Sequence, residues 1–393
     1  MKFKTIILMF TFLFLPSALL LAQNNPEQKS EEIFKARVVE IIEQKNITRD
    51  DGSISIQQKL KLRGLEGDWK DREIIFDETK FDVLSASEYT VGDKVLVNYS
   101  PGPEGEKNFY VIGFSRANPI YWLAFLFALI VIAVGGLKGL RALIVLLLTF
   151  LIILKFIIPK ILSGSDPLLI SIIGSFFILI LAVYITEGFK RTSTIAVFAI
   201  LISLVITGLL SVWFSAIAKL TGFASEEAMY LVGLAGGNIN IKGLLLAGII
   251  IGTLGVLDDV IISQVVLVKE LKASNPGLTK NQIYHQAMRV GISHLSSMVN
   301  TLFLAYAGAS LPLLILFSVK QPPFLTFNQI IDNEMIATEI VRTFTGSIGL
   351  VLAVPIATFL AARLIKKIKI WRKIIMLLIF FYFPFFLRPD GLG

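Results

Sequence analysis

The sequence predicts an α-helical membrane bundle carrying a small all-β domain, and three observations lead there. Hydrophobic residues make up 55% of the 393, charged residues only 17%, and mean hydropathy is +0.75; a soluble core of this size cannot hide so much apolar surface. Long apolar runs recur from residue 119 onward, whereas residues 27–116 alternate polar and apolar side chains at period two. Charge divides the same way. Residues 27–117 hold about 14 basic and about 18 acidic groups, so the net charge of +8 originates elsewhere in the chain.

At the N-terminus, Lys2 and Lys4 precede an apolar run from Thr5 to Ala22, the pattern of a signal peptide or signal anchor over residues 1–22. Leu20 is bulky where cleavage after Ala22 wants a small residue, so both forms stay open; either one exports the next segment. Residues 27–116 then read as an extracytoplasmic domain. In ISIQQKLKL, Ile54 to Leu62, isoleucine and leucine alternate with serine, glutamine and lysine, as in a half-buried strand. Arg49 to Gly52 suits a hairpin turn, and SPGPEG, Ser100 to Gly105, separates two further strands. About five strands in this length predict a small closed β-barrel of the OB type. Such a domain serves as a ligand or partner platform, or as a folded spacer.

The helical domain covers residues 119–365. Seven apolar stretches, 120–137, 142–158, 168–186, 195–214, 241–257, 295–319 and 340–364, can each cross a hydrocarbon core with small adjustments. With the β domain outside, the cytoplasmic loops carry Lys138 and Arg141, Lys190 and Arg191, Lys269, Lys272, Lys280 and Arg289, and the cluster from Arg363 to Lys373. The opposite loops hold mostly acids, as the positive-inside rule requires. Residues 366–393 form a basic cytoplasmic flank and a short apolar end. Within it Ile374 to Leu387 has about 14 residues and contains Pro384, which suits an interfacial or re-entrant segment. The lysines and arginines lie at the ends of apolar runs, where they meet lipid headgroups, so the basic charge points to the bilayer as partner and not to nucleic acid.

Ionisable side chains inside a bilayer are costly, and each marks a candidate site. The sharpest is GTLGVLDDVIISQ, Gly252 to Gln264, where Asp258 and Asp259 interrupt apolar character running from Ile241 to Val268. Two readings stand. In one, the aspartates with Ser263 and Gln264 form a cation or proton site at a helix break permitted by Gly243, Gly248, Gly252 and Gly255. In the other, Asp258 caps an amphipathic cytoplasmic helix that starts at Asp259. The next span brings a polar stripe of His294, Ser297 and Thr301 beside another of Ser293, Ser296 and Asn300, and both are expected to face protein. His294, Asn300 and Thr301 therefore join the candidate substrate or ion site. Glu339 and Arg342, three residues apart, are expected to pair structurally.

Without cysteine, disulfides and thiol chemistry are excluded. Two histidines without HExxH spacing, and no P-loop, nucleophile elbow or dinucleotide turn, argue against an enzyme, a metal centre or a cofactor. On GTLGVLDDVIISQ and on GISHLSSMVNTLFLAYAGASLPLL, with its NTLxLAYAG core from Asn300 to Gly308, the chain resembles the YibE/F-like family of bacterial membrane proteins over roughly residues 119–365. The resemblance implies a multi-pass bacterial cell-membrane location and brings no activity with it. It also implies Arg and Asp after the glycine, where this chain has Ile292 and Ser293. Two functions are therefore expected. The first is transport of a small cation, a proton or a polar solute past Asp258 and Asp259; the other is a scaffold or sensor whose exported β domain binds an envelope protein partner.

Overall fold

The computed structural model describes residues 32–48, 54–80, 87–102, 107–224, 226–234, 239–320 and 325–365, in two units that divide between residues 127 and 128. The expected signal segment, the turn at 49–52, residues 103–105 of the 100–105 break and the flank from 366 lie outside the described residues.

In the first unit the alternating segments form five strands: β1 (Glu32–Thr48), β2 (Ile54–Gly64), β3 (Glu73–Asp77), β4 (Lys94–Pro101) and β5 (Lys107–Phe114). They make one antiparallel sheet in the order β3-β2-β1-β4-β5. Period two sends Phe34, Ala36 and Val38 of β1 to the same interior as Leu60 and Leu62 of β2 and Val95 and Val97 of β4. Long β1 serves both neighbours, and register shifts at Val38/Glu40 and Ile41/Glu43 bend it between them. Trp69 closes the interior, its ring 5.7 Å from Phe34, 5.0 Å from Tyr99 and 4.9 Å from Phe109, while its Nε1–H donates to Glu32 at 3.1 Å.

The expected strand number holds, and closure does not. Among the described residues no ladder joins β3 to β5, and the sheet is a half-barrel. The outer edges of β3 and β5 approach each other without forming a ladder, and the Trp69 cluster packs within the curve of the sheet.

The second unit is helical. Helix α1 (Ala117–Ile152) continues through a π-helical turn, Ile153–Ile157, to Leu162, and it begins upstream of the division between the units. There follow α2 (Pro167–Thr186), α3 (Arg191–Ile217), α4 (Glu226–Leu234), α5 (Ile241–Ser274), α6 (Lys280–Ala309), α7 (Leu311–Ser318), α8 (Phe327–Asp332) and α9 (Glu334–Leu364). Local chemistry sets the ends. Asp166 accepts from Leu169 N–H before Pro167 opens α2, Asn240 accepts from Gly243 N–H at the start of α5, and Thr279 with Gln282 forms a capping box for α6.

Helices α2, α3, α5, α6 and α9 form the packed core, with Leu257, Ile261, Val265, Ile200 and Ala357 among its buried members. Small residues set the closest approaches. A side chain on Gly349 of α9 would collide with Thr207 of α3, and one on Gly291 of α6 would meet Val354 and Gln264.

Among the described residues five helical stretches are long and apolar enough to cross a membrane, or six if the pair α6 and α7, bent by 70°, counts as one. This count is lower than the expected seven because it takes 120–137 and 142–158, both within Ala117–Leu162, as one helical run. That run is broken at Gly136, whose φ of 54° and ψ of −134° are not helical. A side chain on Gly139 would strike the carbonyl of Val131, eight residues earlier. A straight helix would hold those residues about 12 Å apart, so the run folds back on itself at the glycine.

Candidate functional site

Helix α5 runs unbroken through both aspartates. Leu254, Leu257, Ile261, Val265 and Val268 continue one buried stripe at helical spacing across the pair, so packing carries the helix on through a polar dipeptide. This corrects both sequence readings: there is no break at Asp258, and no helix begins there for it to cap. The two carboxylates leave the helix about 100° apart. Asp258 is half-buried, while Asp259 and Ser263 are exposed on the face that also carries Gly248, Gly252 and Gly255.

Gln264 has a different part. It is 4% exposed, and its side-chain amide donates to Ala287 O at 3.0 Å and to Thr358 Oγ1 at 2.8 Å. One residue thereby ties α5 to α6 and α9, and Gly291 gives it room. With both amide hydrogens taken up inside the bundle, Gln264 is a crosslink.

The polar stripes of α6 do not face protein, contrary to expectation. His294, Ser297 and Thr301 are exposed, as are Ser293, Ser296 and Asn300. The opposite side of the helix supplies the packing: Leu295, Met298, Val299 and Leu302 lie against Val260, Leu350 and Val354. Apolar contact with α9 therefore sets the rotation of α6, and the polar stripes are turned away. Ser296 and Thr301 satisfy their hydroxyls on their own helix, donating to Ile292 O and Ser297 O.

Two contacts fix how the antiparallel pair α5 and α6 is registered: Gln264 reaches Ala287, and a side chain on Gly252 would sit 3.7 Å from Tyr306 Oη. Interpolated between these contacts, Gly255 lies level with about Thr301, Asp259 with about Leu295 and Ser263 with about Arg289. The seven predicted residues thus lie along one stretch of the hairpin but not on one surface. Gln264 points inward, Asp258 is half-enclosed, and the other five face outward. Among the described residues no group of three or more His, Asp or Glu converges as metal ligands would.

A second polar locus lies at the other end of the bundle. Ser310 breaks the helical path between α6 and α7, and Pro312 stands in the first turn of α7. Beside this break is a cavity of about 400 Å³ whose walls include Ser310, Pro312, Ile241, Met335, Glu339 and Arg342. Arg342 Nη1 donates to Glu339 at 3.0 Å, which confirms the expected pair. Arg342 Nε and the hydroxyl of Thr338, also in the wall, are enclosed without hydrogen-bond partners.

The rim of this cavity is fixed by Glu334, whose carboxylate accepts from Thr221 Oγ1 at 2.8 Å and from Gly222 N–H at 2.9 Å. Gly222 sits at φ 87°, and a side chain there would meet the carbonyl of Ile241 at 2.7 Å, so glycine is required for the loop to close. The sequence marked the Glu339–Arg342 pair, and Pro312 marked a bias away from the helix in the residue before it. It did not show that they meet in one cavity with Thr338.

A family model described as YibE/F-like protein matches residues 123–367. No curated protein and no solved structure matches the chain.

Proposed function

The chain belongs to the YibE/F-like family, and on that footing we propose that it is a multi-pass transporter of a small cation or polar solute, with the β unit outside the cytoplasm and Asp258 and Asp259 on the solute's path. One observation carries the reading. Both carboxylates sit on an unbroken helix whose flanking residues are apolar and packed, and an aspartate at the centre of a membrane helix costs about 2.5–3.5 kcal/mol on insertion scales. With no break to line and no helix end to cap, neither aspartate has a structural task that asparagine could not perform. The exposed Ser263, His294, Asn300 and Thr301, on the same hairpin, offer polar groups along that path.

Reconstituted vesicles and a panel of ions and small solutes test this. The expected result is flux above empty liposomes, lost in Asp258→Asn or Asp259→Asn protein that still assembles. Parent-like flux in both variants removes the aspartates from the mechanism. No flux at all removes the transporter.

A second reading, a scaffold or sensor whose β unit binds an envelope protein, is favoured by apolar side chains on the outer face of the sheet. Ile33 and Ile112 are 61% and 57% exposed, and Ile33 stands in the same cross-strand row as Tyr110, through Asn98. Photo-crosslinkers placed at Ile33 and Ile112 should capture one protein in native membranes; their silence would leave the β unit a spacer.

A further inference from the structure

The cavity at the α6–α7 break contains a combination that the transport path past the aspartates does not use. Its walls are largely apolar, with Ile241, Leu244, Leu245 and Met335 on one side and Pro312 and Leu313 on the other. One positive and one negative group are set into them, Arg342 and Glu339, each about one-third exposed and joined at 3.0 Å. Further polar capacity stands unused in the walls: Thr338 is 6% exposed and its hydroxyl has no partner, and Arg342 Nε–H has none. The first turn of α7, which lines the cavity at Pro312 and Leu313, carries no side-chain cap, so the positive end of that helix is open to an anionic group.

We infer that this cavity binds a small zwitterion with an apolar body, in chemical class an α-amino acid with an aliphatic side chain. Charge balance selects it. A guest with one charge would satisfy Arg342 or Glu339 and leave the other, about two-thirds buried, without its partner, which is unfavourable. A zwitterion satisfies both. Its carboxylate takes the guanidinium and the open end of α7, and its ammonium takes the Glu339 carboxylate, so the existing ion pair is replaced by two new ones. Thr338 supplies an additional hydroxyl within the same wall, and the apolar side chain packs on Ile241, Leu244 and Met335. A volume of about 400 Å³ lies within the range of small-molecule sites.

This assignment deepens the transport reading by naming a solute class, yet it can be measured without flux. Full-length protein in nanodiscs is titrated with L-leucine, with 4-methylpentanoate, which lacks the ammonium, and with 3-methylbutylamine, which lacks the carboxylate. Leucine is expected to bind at least about tenfold more tightly than either analogue, because each leaves one partly buried charge unpaired. Glu339→Gln should reverse the order in favour of 4-methylpentanoate, since the cavity then carries net positive charge. Arg342→Gln should favour the amine. The double variant, neutral throughout, is the folding control and should lose charge selectivity while keeping its melting temperature.

Absent leucine binding, equal binding of all three ligands, or an unchanged order in Glu339→Gln overturns the assignment. Binding without flux would remove the transporter and keep the cavity, and flux of other solutes without leucine binding would do the reverse.

Discussion

The β unit and the helical unit use opposite rules for what lies inside and outside. In the β unit the fully buried Gln58 is fully engaged: its side chain bonds Gln44 and both backbone groups of Tyr89, and its own N–H reaches Glu78, although Ser55 Oγ there has no partner. Around it lies an aromatic and aliphatic interior, with charged side chains outside. In the bundle the interior holds Ser203, Thr207, Ser211 and Thr345, while Phe198, Val205 and Leu209 point outward. Several enclosed hydroxyls there, Ser171, Ser175, Ser203 and Ser215, have no partner. The first arrangement suits water as solvent. The second suits lipid, where apolar side chains gain nothing by going inside and small residues go there to let helices approach.

The largest expected effect that separates the units is Trp69→Ala. Removing a ring stacked among Phe34, Tyr99 and Phe109 should cost about 3–5 kcal/mol and should collapse hydrogen-exchange protection across β1, β4 and β5. Protection in α5 and α9 should be unchanged. Loss of protection in the bundle would show that the two units do not fold as separate bodies.

Next in size is Gln264→Ala. It leaves Ala287 O and Thr358 Oγ1 without their shared donor inside the bundle, for about 1–3 kcal/mol, read as a lower midpoint in thermal unfolding of the helical unit. Gln264→Glu should fare no better, since it brings a carboxylate against the Ala287 carbonyl. Parent-like melting of both would mean that the crosslink contributes nothing.

The smallest effect is a pH dependence confined to the β unit. Burial raises the Glu78 carboxyl above its usual value, against a smaller lowering by the N–H of Gln58. A carboxyl held higher in the folded than in the unfolded chain keeps its proton longer in the fold. Its contribution is therefore complete below the unfolded value and is lost as pH rises through the folded one. Exchange protection of β2 should accordingly fall as pH rises from about 4.5, once the intrinsic rate is corrected for. Glu78→Gln should flatten this slope, and an unchanged slope would assign it to another group.

Much of this contrast was legible in the sequence, because it is periodic. Alternation in ISIQQKLKL marked β2 directly, and unbroken apolar runs marked the helices. What could not be read depended on partners distant along the chain. Gln264 was visible as a polar residue in a span, but its meaning lies in Thr358, 94 residues on. The outward turn of the α6 stripes was missed because polar residues were assumed to decide the rotation. Leu295, Met298 and Leu302 decided it by packing on α9. The cavity was illegible for a related reason, since residues of α5, α7 and α9 meet there only after folding.

The turned-out face of α6 bears on how a chain that enters a membrane in chain order would be made. There α6 would arrive before α9, and so before Leu350 and Val354, against which its apolar side packs. In that interval α6 would present serines, His294 and Asn300 on one side and an unpaired greasy strip on the other, a poor passenger for lipid by itself. The preceding helix α5, registered to α6 through Gln264 and Ala287, would already be present, and the apolar turn of α7 would come directly after. On that order the hairpin would be the unit that partitions, and α9 would lock it afterwards.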